Sequence, residues 1–171
     1  MKNALNILVV LILILASCGK EGEPLQQQTA KVDPDIIVNT NINNTLMLKL
    51  VNDKRATGCN CGITAMPPVP SLTWNNLLAA AASAHSKDMA TNNFFAHESS
   101  TGKTTADRLN LVGYKSVAFA ENIASGQIDE QAVMDAWLAS EGHCKNIMNV
   151  NVKEIGVARE GKYWTQVFGA R

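Results

Sequence analysis

This sequence has little charge, few aromatic residues and few structure breakers. Its 15 basic and 15 acidic side chains cancel and no basic block occurs, so it lacks the electrostatic footprint of a nucleic-acid-binding protein. Only 18% of its residues are charged while 46% are hydrophobic, which excludes an intrinsically disordered chain. The 5 prolines and 11 glycines in 171 residues exclude a collagen-like or linker-dominated chain. A globular protein with one domain remains.

Signature motifs for hydrolytic catalysis are also missing. The chain contains neither the Gly-x-Ser-x-Gly turn that carries a serine nucleophile nor the His-Glu-x-x-His pair of a zinc peptidase. Ser140 lies close to His143 in the sequence, but this pair alone is not a catalytic triad. No catalytic residue can therefore be assigned from motifs.

Residues 1–17 have the composition of a secretory signal peptide. Lys2 precedes an unbroken apolar run over residues 7–16, which is shorter than the roughly 20 apolar residues that span a bilayer. Residues 15–18 (LASC) resemble the lipobox of bacterial lipoproteins, in which the cysteine is acylated. An ordinary signal peptide with an incidental cysteine is the alternative. We expect a lipid anchor at Cys18, which would make the membrane a partner of this protein.

The rest of the chain divides into a tether and a folded domain. Residues 18–44 contain a glutamine triplet and a run of Asn and Thr with little periodicity, so we expect a flexible tether there. Residues 45–171 carry helical and then alternating patterns, which predict a single α+β domain.

Periodicity and turn signals predict four helices followed by a hairpin. Residues 58–70 and the AENIASG segment are expected to be loops, and Gly142 is expected to end the last helix in a left-handed conformation. A β-hairpin is expected around Glu160 and Gly161. The predicted helices cover residues 44–56, 74–92, 106–111 and 129–141, and the hairpin covers residues 154–169.

Six segments in order resemble the CAP superfamily, which includes cysteine-rich secretory proteins, antigen 5 and pathogenesis-related proteins, in its compact bacterial form. They are LTWNNLLAAAASAHSKDM, NFFAHESSTGKTTADRL, GY, AENIASG, AVMDAWLASEGHCKNIM and EIGVARE-GKYWTQVFG. The resemblance implies an α-β-α sandwich with an antiparallel sheet that ends in a C-terminal β-hairpin. It also implies a cleft that holds histidines and glutamates.

The family's cleft residues map onto this sequence at three positions. His97 matches the family's first histidine, Glu121 the acidic residue of its GENI motif, and His143 the histidine of the bacterial SPGH motif. Animal and plant members carry a second histidine where this chain has Tyr163. Glu141 lies near the position of the family's second glutamate without matching it.

The same residues allow three kinds of chemistry. His97, Glu121 and His143 could supply the three protein ligands of an open zinc site, with water in the fourth place. They could instead form a hydrogen-bonded cluster without metal, in which the carboxylate fixes one imidazole tautomer. Genuine catalysis is the third alternative, and the sequence favours the hydrogen-bonded cluster.

His85 is expected at the cleft, and Asp88 and Arg108 are two further polar residues for which catalysis is the alternative to a structural role. His85 lies on the inward face of the Ala-rich helix, so we expect a semi-buried ring bonded to backbone or to a cleft carboxylate. Asp88 and Arg108 are expected to be solvated or salt-bridged structural residues.

Cys59, Cys61 and Cys144 leave an odd cysteine in an exported domain. Export exposes the domain to an oxidising compartment, so one disulfide is expected and one thiol remains. A Cys59–Cys61 bridge would close a very small, strained ring, which leaves either cysteine as the partner of Cys144. The resemblance favours Cys61, because related bacterial proteins keep a Cys-Gly pair at Cys61-Gly62.

Together these features predict an exported CAP-domain protein that is lipid-anchored in the bacterial cell envelope. We expect a monomeric, non-enzymatic binding module whose cleft takes a small apolar ligand, a peptide or another envelope component. A metal-dependent, peptidase-like hydrolase that uses His97, Glu121 and His143 is the alternative, with zinc as its cofactor. A purely structural surface module is the third hypothesis.

The lipobox-like segment generates the first test. Cys18→Ala should abolish acylation and move the protein from the membrane fraction to the soluble fraction, because a single thiol carries the anchor. Metabolic labelling with a fatty-acid analogue and fractionation measure both effects. Cys59→Ala is the matched control and should stay acylated. An acylated, membrane-bound Cys18→Ala protein would contradict the assignment.

Overall fold

The computed structural model describes residues 37–171, so the signal peptide, Cys18 and most of the expected tether lie outside the described residues. Across residues 37–171, no helix combines the length and apolar character needed to span a membrane. The helices of this part are α1 (Asn44–Thr57), α2 (Asn76–Asn92), α3 (Thr105–Leu111), α4 (Glu130–Ala139) and α5 (Glu141–Ile147). Its strands are β1 (Cys59–Cys61), β2 (Thr64–Met66), β3 (Thr73–Trp74), β4 (Ala118–Ser125), β5 (Glu154–Glu160) and β6 (Tyr163–Ala170).

A four-stranded sheet in the order β3-β5-β6-β4 forms the middle layer. The predicted C-terminal hairpin is β5 and β6, which pair antiparallel, and β6 also pairs antiparallel with β4. Only the short β3 runs parallel to its neighbour β5. Strand β4 is therefore an edge of the sheet, a position that matters for the site. A separate antiparallel hairpin joins β1 and β2.

Helices cover both faces of the sheet and create two apolar cores. Helices α1, α4 and α5 pack on one face, where Trp137, Trp164 and Phe168 are buried. Helices α2 and α3 pack on the other face, where Leu78 and Leu109 meet sheet residues such as Val167. The α+β class and the sandwich are confirmed.

Local sequence explains where the helices begin. The side chains of Asn43, Asn75 and Asp129 each accept a backbone N–H of the first turn of α1, α2 and α4. Thr104 and Asp107 form a reciprocal capping box at the start of α3. These caps satisfy donors that a helix terminus would otherwise leave unpaired.

The structure corrects three local expectations. AENIASG lies within strand β4 rather than in a loop, and β1 and β2 form a hairpin within the expected loop of residues 58–70. The expected helix 129–141 breaks at Ser140, whose backbone is extended, and α5 starts directly afterwards. Gly142 lies inside α5 and its φ is not positive, so it does not end a helix in a left-handed conformation.

Thr40 and Asn41, which were expected in the tether, lie against the domain. The buried Thr40 accepts a hydrogen bond from the Arg159 backbone N–H through its carbonyl oxygen, at 2.8 Å. The Asn41 side chain donates to the Arg159 carbonyl oxygen at 3.0 Å. The contacts of the domain therefore begin before residue 45.

Helix α2 approaches the sheet closely at Gly156. A Cβ atom at this position would lie 2.1 Å from the backbone nitrogen of Ala79, a distance that no side-chain motion can relieve. The close approach lets α2 lie directly on β5, which positions the inward face of α2, including His85, beside the site.

Gly156→Ala should therefore lower the free energy of unfolding by at least about 2 kcal/mol, because backbone must move to admit the methyl group. Gly142→Ala is the control, since no atom lies within 4 Å of its added Cβ. Its stability should be unchanged or raised by up to about 1 kcal/mol, as for other helical Gly→Ala changes. Urea unfolding measures both. Equal stabilities of the two variants would contradict this packing argument.

Candidate functional site

The site is arranged around Glu121, a buried carboxylate on the edge strand β4. Its side chain is 3% exposed and both of its oxygens are engaged. Oε1 lies 2.8 Å from Nδ1 of His97, and Oε2 lies 2.6 Å from a guanidinium nitrogen of Arg108. Burial alone would raise the pKa of Glu121, but the bond from His97 and the charge and hydrogen bond of Arg108 outweigh it, so the pKa is lowered. Glu121 is therefore held as a carboxylate.

Arg108 reaches Glu121 from helix α3, and its side chain is 6% exposed. One guanidinium nitrogen, Nη1, donates to the backbone oxygens of His97 and Lys103 and to Oγ of Ser99, each at 3.0 Å. Arg108 thereby fixes the loop that carries His97 as well as the charge of Glu121. The expectation of a salt-bridged Arg108 agrees with this geometry, but its central position in the site was missed.

His97 follows helix α2 in the loop that Arg108 holds. Its side chain is 55% exposed, so the ring has one edge on the buried carboxylate and considerable surface in solvent. The hydrogen bond to Glu121 is the largest influence and raises the pKa of His97, although burial and Arg108 oppose it. Nε2 of His97 has no hydrogen-bond partner among residues 37–171 and is available to a ligand.

His143 reaches the site from the other side of β4. Successive residues of a strand face opposite sides of the sheet, so Glu121 faces α2 and α3 while Asn122 faces α5. Asn122 donates to the carbonyl oxygen of His143 at 3.1 Å, and Asn146 of α5 donates to the Glu121 carbonyl oxygen at 3.3 Å. His97 and His143 thus belong to helix layers on opposite faces of the sheet, and both are tied to the same edge strand.

The pKa values of His97 and His143 are shifted in opposite directions. Burial lowers the pKa of His143, and the charge of His97 lowers it further. The charge of His97 is therefore within electrostatic range of the His143 ring. At neutral pH, His143 is consequently a neutral imidazole, while His97 has an increased tendency to carry charge.

His85 is fully buried beneath this site. Its Nε2 lies 2.9 Å from the carbonyl oxygen of Ala96, which lies next to His97 in the loop. Burial, followed by the charge of Arg108, lowers the pKa of His85, so the ring is a neutral donor to backbone. This is the backbone-bonded role expected from the sequence.

The donor set does not fit zinc in this arrangement. Both oxygens of Glu121 and Nδ1 of His97 are already bonded to each other or to Arg108. The guanidinium of Arg108 also lies where it would repel a cation. Among residues 37–171, the trio with ligand atoms within 4.8 Å of one another is Cys59, Cys61 and Cys144, and it does not include His97, Glu121 and His143.

An apolar strip extends from Glu121 along the same face of the sheet. Ile123 and Tyr163 are buried there and pack with Met89. Phe95, in the His97 loop, is 52% exposed, and its ring is stacked on Tyr163 with centroids 6.4 Å apart. Tyr163 therefore contributes an aromatic surface to the site.

The disulfide joins Cys61 to Cys144, as expected, with the two Cα atoms 5.4 Å apart. Cys59 is free and half-buried. The bridge spans 83 residues, for which the chain-entropy model gives about 4 to 5 kcal/mol of stabilisation. It connects hairpin β1–β2 to helix α5 at the residue after His143.

Sequence reasoning also missed a polar network behind the site. The buried side chains of Asn122 and Gln166 bond to each other at 2.8 Å, and Asn146 donates to Asn122 at 2.8 Å. The adjacent Asn in AENIA and the Gln in TQVFG were within the quoted motifs. Only the antiparallel pairing of Asn122 with Gln166 brings them together.

Known proteins are similar to this chain in sequence and in fold. A model of the cysteine-rich secretory protein (CAP) family matches residues 48–168. The Bacillus subtilis (strain 168) protein YkwD is 42% identical over 93 residues, which make up 53% of this chain and 36% of YkwD. This chain therefore spans well under half the length of that relative.

Solved structures give the same result. An extracellular protein containing an SCP domain from Bacillus anthracis strain Ames has a TM-score of 0.67 at 35% identity, over 74% of this chain and 40% of that protein. An outer surface protein from Borrelia burgdorferi has a TM-score of 0.60 at 21% identity, over 76% of this chain and 96% of that protein, which shows a shared fold.

Glu121→Gln tests how much the buried ion pair of Glu121 and Arg108 contributes to stability. Arg108 would lose its carboxylate partner in a buried position, so the free energy of unfolding should fall by about 3 to 5 kcal/mol. The pKa of His97 should also fall towards its ordinary value, as followed by NMR titration. Glu98→Gln, next to His97 and exposed, is the control and should change neither quantity. An unchanged His97 titration in Glu121→Gln would refute the coupling.

The opposite pKa shifts of His97 and Glu121 predict a pH window for the pair. The raised pKa of His97 gives stability that is full below its ordinary value of 6.5 and is lost as pH rises through the folded value. The lowered pKa of Glu121 gives stability that is present above its ordinary value of 4.5 and is lost as pH falls through the folded value. His97→Ala should therefore destabilise the protein more at about pH 5.5 than at about pH 8.5. Thermal unfolding at both values measures this, and equal losses would contradict it.

Proposed function

Because this chain belongs to the cysteine-rich secretory protein (CAP) family, we propose that it is an exported, lipid-anchored domain of a bacterial cell envelope that binds a ligand through the His97–Glu121–His143 cleft. The cleft binds this ligand without catalysing a reaction. Its ligand is an amphiphile with an anionic or polar head and an apolar part.

Three observations support export, and the first of them also supports anchoring. The signal-peptide pattern and the LASC segment precede the domain. The Bacillus anthracis relative, at 35% identity, is an extracellular protein. A disulfide between Cys61 and Cys144 also suits an oxidising compartment.

The half-exposed ring of His97, fixed by a buried ion pair, is the observation that carries the binding proposal. Glu121 holds one edge of the imidazole, so a ligand that bonds to Nε2 meets a ring that is already oriented. Preorganisation of this kind reduces the entropy lost on binding. Because the pKa of His97 is raised, the preferred partner of Nε2 is an anionic or strongly polar acceptor.

The apolar strip beside His97 supports the second part of the ligand. Exposed Phe95 and the Tyr163 ring beneath it offer an aromatic surface in the same loop region as His97. Lys162 lies 5.1 Å from the Tyr163 ring and places a further positive charge at this end. The head group of an amphiphile could bond to His97 while its apolar chain lies along Phe95, so that the ligand contacts both the imidazole and the aromatic surface.

A hydrolase that uses His97, Glu121 and His143 is the second candidate. The opposite pKa shifts of the two histidines favour it, because such a split separates an acid from a base. Glu121 is not free to act as a base or ligand, since both oxygens are bonded. Binding therefore accounts for more of the site than hydrolysis does.

Titration of the full chain with palmitate, below its aggregation concentration, tests the binding proposal. Saturable binding should weaken about tenfold or more in His97→Ala, because one charge-assisted hydrogen bond contributes about 1.5 to 3 kcal/mol. Ile128→Ala removes an apolar side chain that is 77% exposed elsewhere and should bind like the native protein.

Soluble cell-wall glycan and peptide fragments form a second arm of the same titration. If these fragments bind and their binding depends on His97, the cleft is still the binding site, but its ligand is a cell-wall fragment and not an amphiphile. Binding of neither probe, or equal affinities in His97→Ala and Ile128→Ala, would contradict the proposal. Release of hydrolysed fragments that requires His97 and His143 would favour the hydrolase.

A further inference from the structure

Three sulfur atoms lie together where hairpin β1–β2 meets helix α5. The Sγ atom of Cys59 lies 3.6 Å from that of Cys144 and 4.0 Å from that of Cys61. Cys61 and Cys144 form the disulfide and are fully buried, while Cys59 is free and half-buried. The free thiol is thus in contact with the bridge, on the side from which solvent reaches it.

The strand explains why two cysteines can face one partner. Cys59 and Cys61 are separated by one residue of β1, so both side chains point to the same side of the strand. The intervening Asn60 points away and is exposed. Cys144 is presented to both by helix α5.

Cys59 also lines a surface depression of about 490 Å³. Met66 and Pro67 form part of its wall, and Gly58 lies at its edge. Gly58 has φ +73°, and a Cβ there would lie 2.7 Å from the Met66 carbonyl oxygen, so only glycine permits this chain path. Cys59 is half-buried and borders this depression, so we expect a small thiol or disulfide to reach its sulfur from there.

We propose that Cys59, Cys61 and Cys144 form a thiol–disulfide exchange centre in which Cys144 alternates between two partners and Cys59 opens the buried bridge to small thiols. The Cys59 thiol gives its proton to water, and its thiolate attacks Sγ of Cys144. The Cys59–Cys144 bond forms, the Cys61–Cys144 bond breaks, and Cys61 leaves as a thiolate that takes up a proton. No external oxidant or reductant is consumed.

Attack on a disulfide occurs in line with the sulfur–sulfur bond, so the exchange includes a rotation of the Cys59 side chain. The fold tolerates both products because each one ties β1 to α5 through Cys144. They differ in which thiol is free, since Cys61 is buried and Cys59 borders solvent. In the second isomer, a small thiol entering the depression can attack Cys59 and release Cys144.

The test determines which cysteine is free at equilibrium in the full chain. The oxidised protein is incubated at about pH 8 without reductant, quenched in acid, denatured and labelled with N-ethylmaleimide at about pH 6, where exchange is slow because little thiolate is present. Reduction and a second alkylating reagent mark the bridged cysteines, and peptide fragmentation assigns each label. Peptide mapping keeps Cys18 separate from the three domain cysteines.

Maleimide is expected on Cys59 in most molecules and on Cys61 in a measurable fraction. Reduction of the bridge by dithiothreitol should be at least about tenfold slower in Cys59→Ser than in the native protein, because the buried bridge then lacks an accessible exchange partner. Cys61→Ser should fold with a Cys59–Cys144 bridge, which also calibrates the label assignment.

Several results would overturn the proposal. They are maleimide on Cys59 alone after equilibration, maleimide on Cys144 that reports a Cys59–Cys61 bridge, and equal reduction rates for Cys59→Ser and the native protein. A folded Cys61→Ser protein in which Cys59 and Cys144 are both free would also overturn it. The wild-type labelling decides the outcome if Cys61→Ser does not fold.

Discussion

A carboxylate buried at the edge of a sheet must be neutralised, and most of the site follows from how Glu121 is neutralised. Arg108 supplies the opposite charge from helix α3, and the same guanidinium binds the loop that carries His97. Removing either charge would leave the other uncompensated in a buried position. The ion pair therefore fixes a loop, a helix and an imidazole together, which is why a half-exposed histidine can have a defined orientation.

The edge position of β4 determines how the cleft is shared. Residues of an interior strand would be separated by the sheet, whereas side chains from both faces can meet over an edge. His97 belongs to the layer of α2 and α3, and His143 belongs to the layer of α1, α4 and α5. The bonds from Asn146 to the Glu121 backbone and to Asn122 hold α5 against the edge of the sheet. The cleft is thus a junction of the two layers.

The helices and the C-terminal hairpin could be predicted because their patterns are local. The predicted 44–56 helix ends within a residue of α1, and the hairpin turn lies at Gly161. Strand β4 could not be recognised, since residues 121–124 are buried on both faces and show no alternation. The break at Ser140 lacks the proline or glycine that marks helix ends. Arg108 was undervalued because its partner Glu121 is 13 residues away on another element, and only the fold brings the two together.

The strand order determines how much of the chain must be synthesised before this domain can fold. Strands β5 and β6 are the two central strands, yet both follow the edge strands β3 and β4 in the sequence. Until residues 154–170 are present, β4 has no partner for its backbone groups and α2 has no sheet to cover. Such non-local pairing slows folding and excludes a stable amino-terminal half. This topology therefore favours folding only after residue 170 has been synthesised, at a time when Cys61 and Cys144, the two cysteines of the disulfide, are both already present.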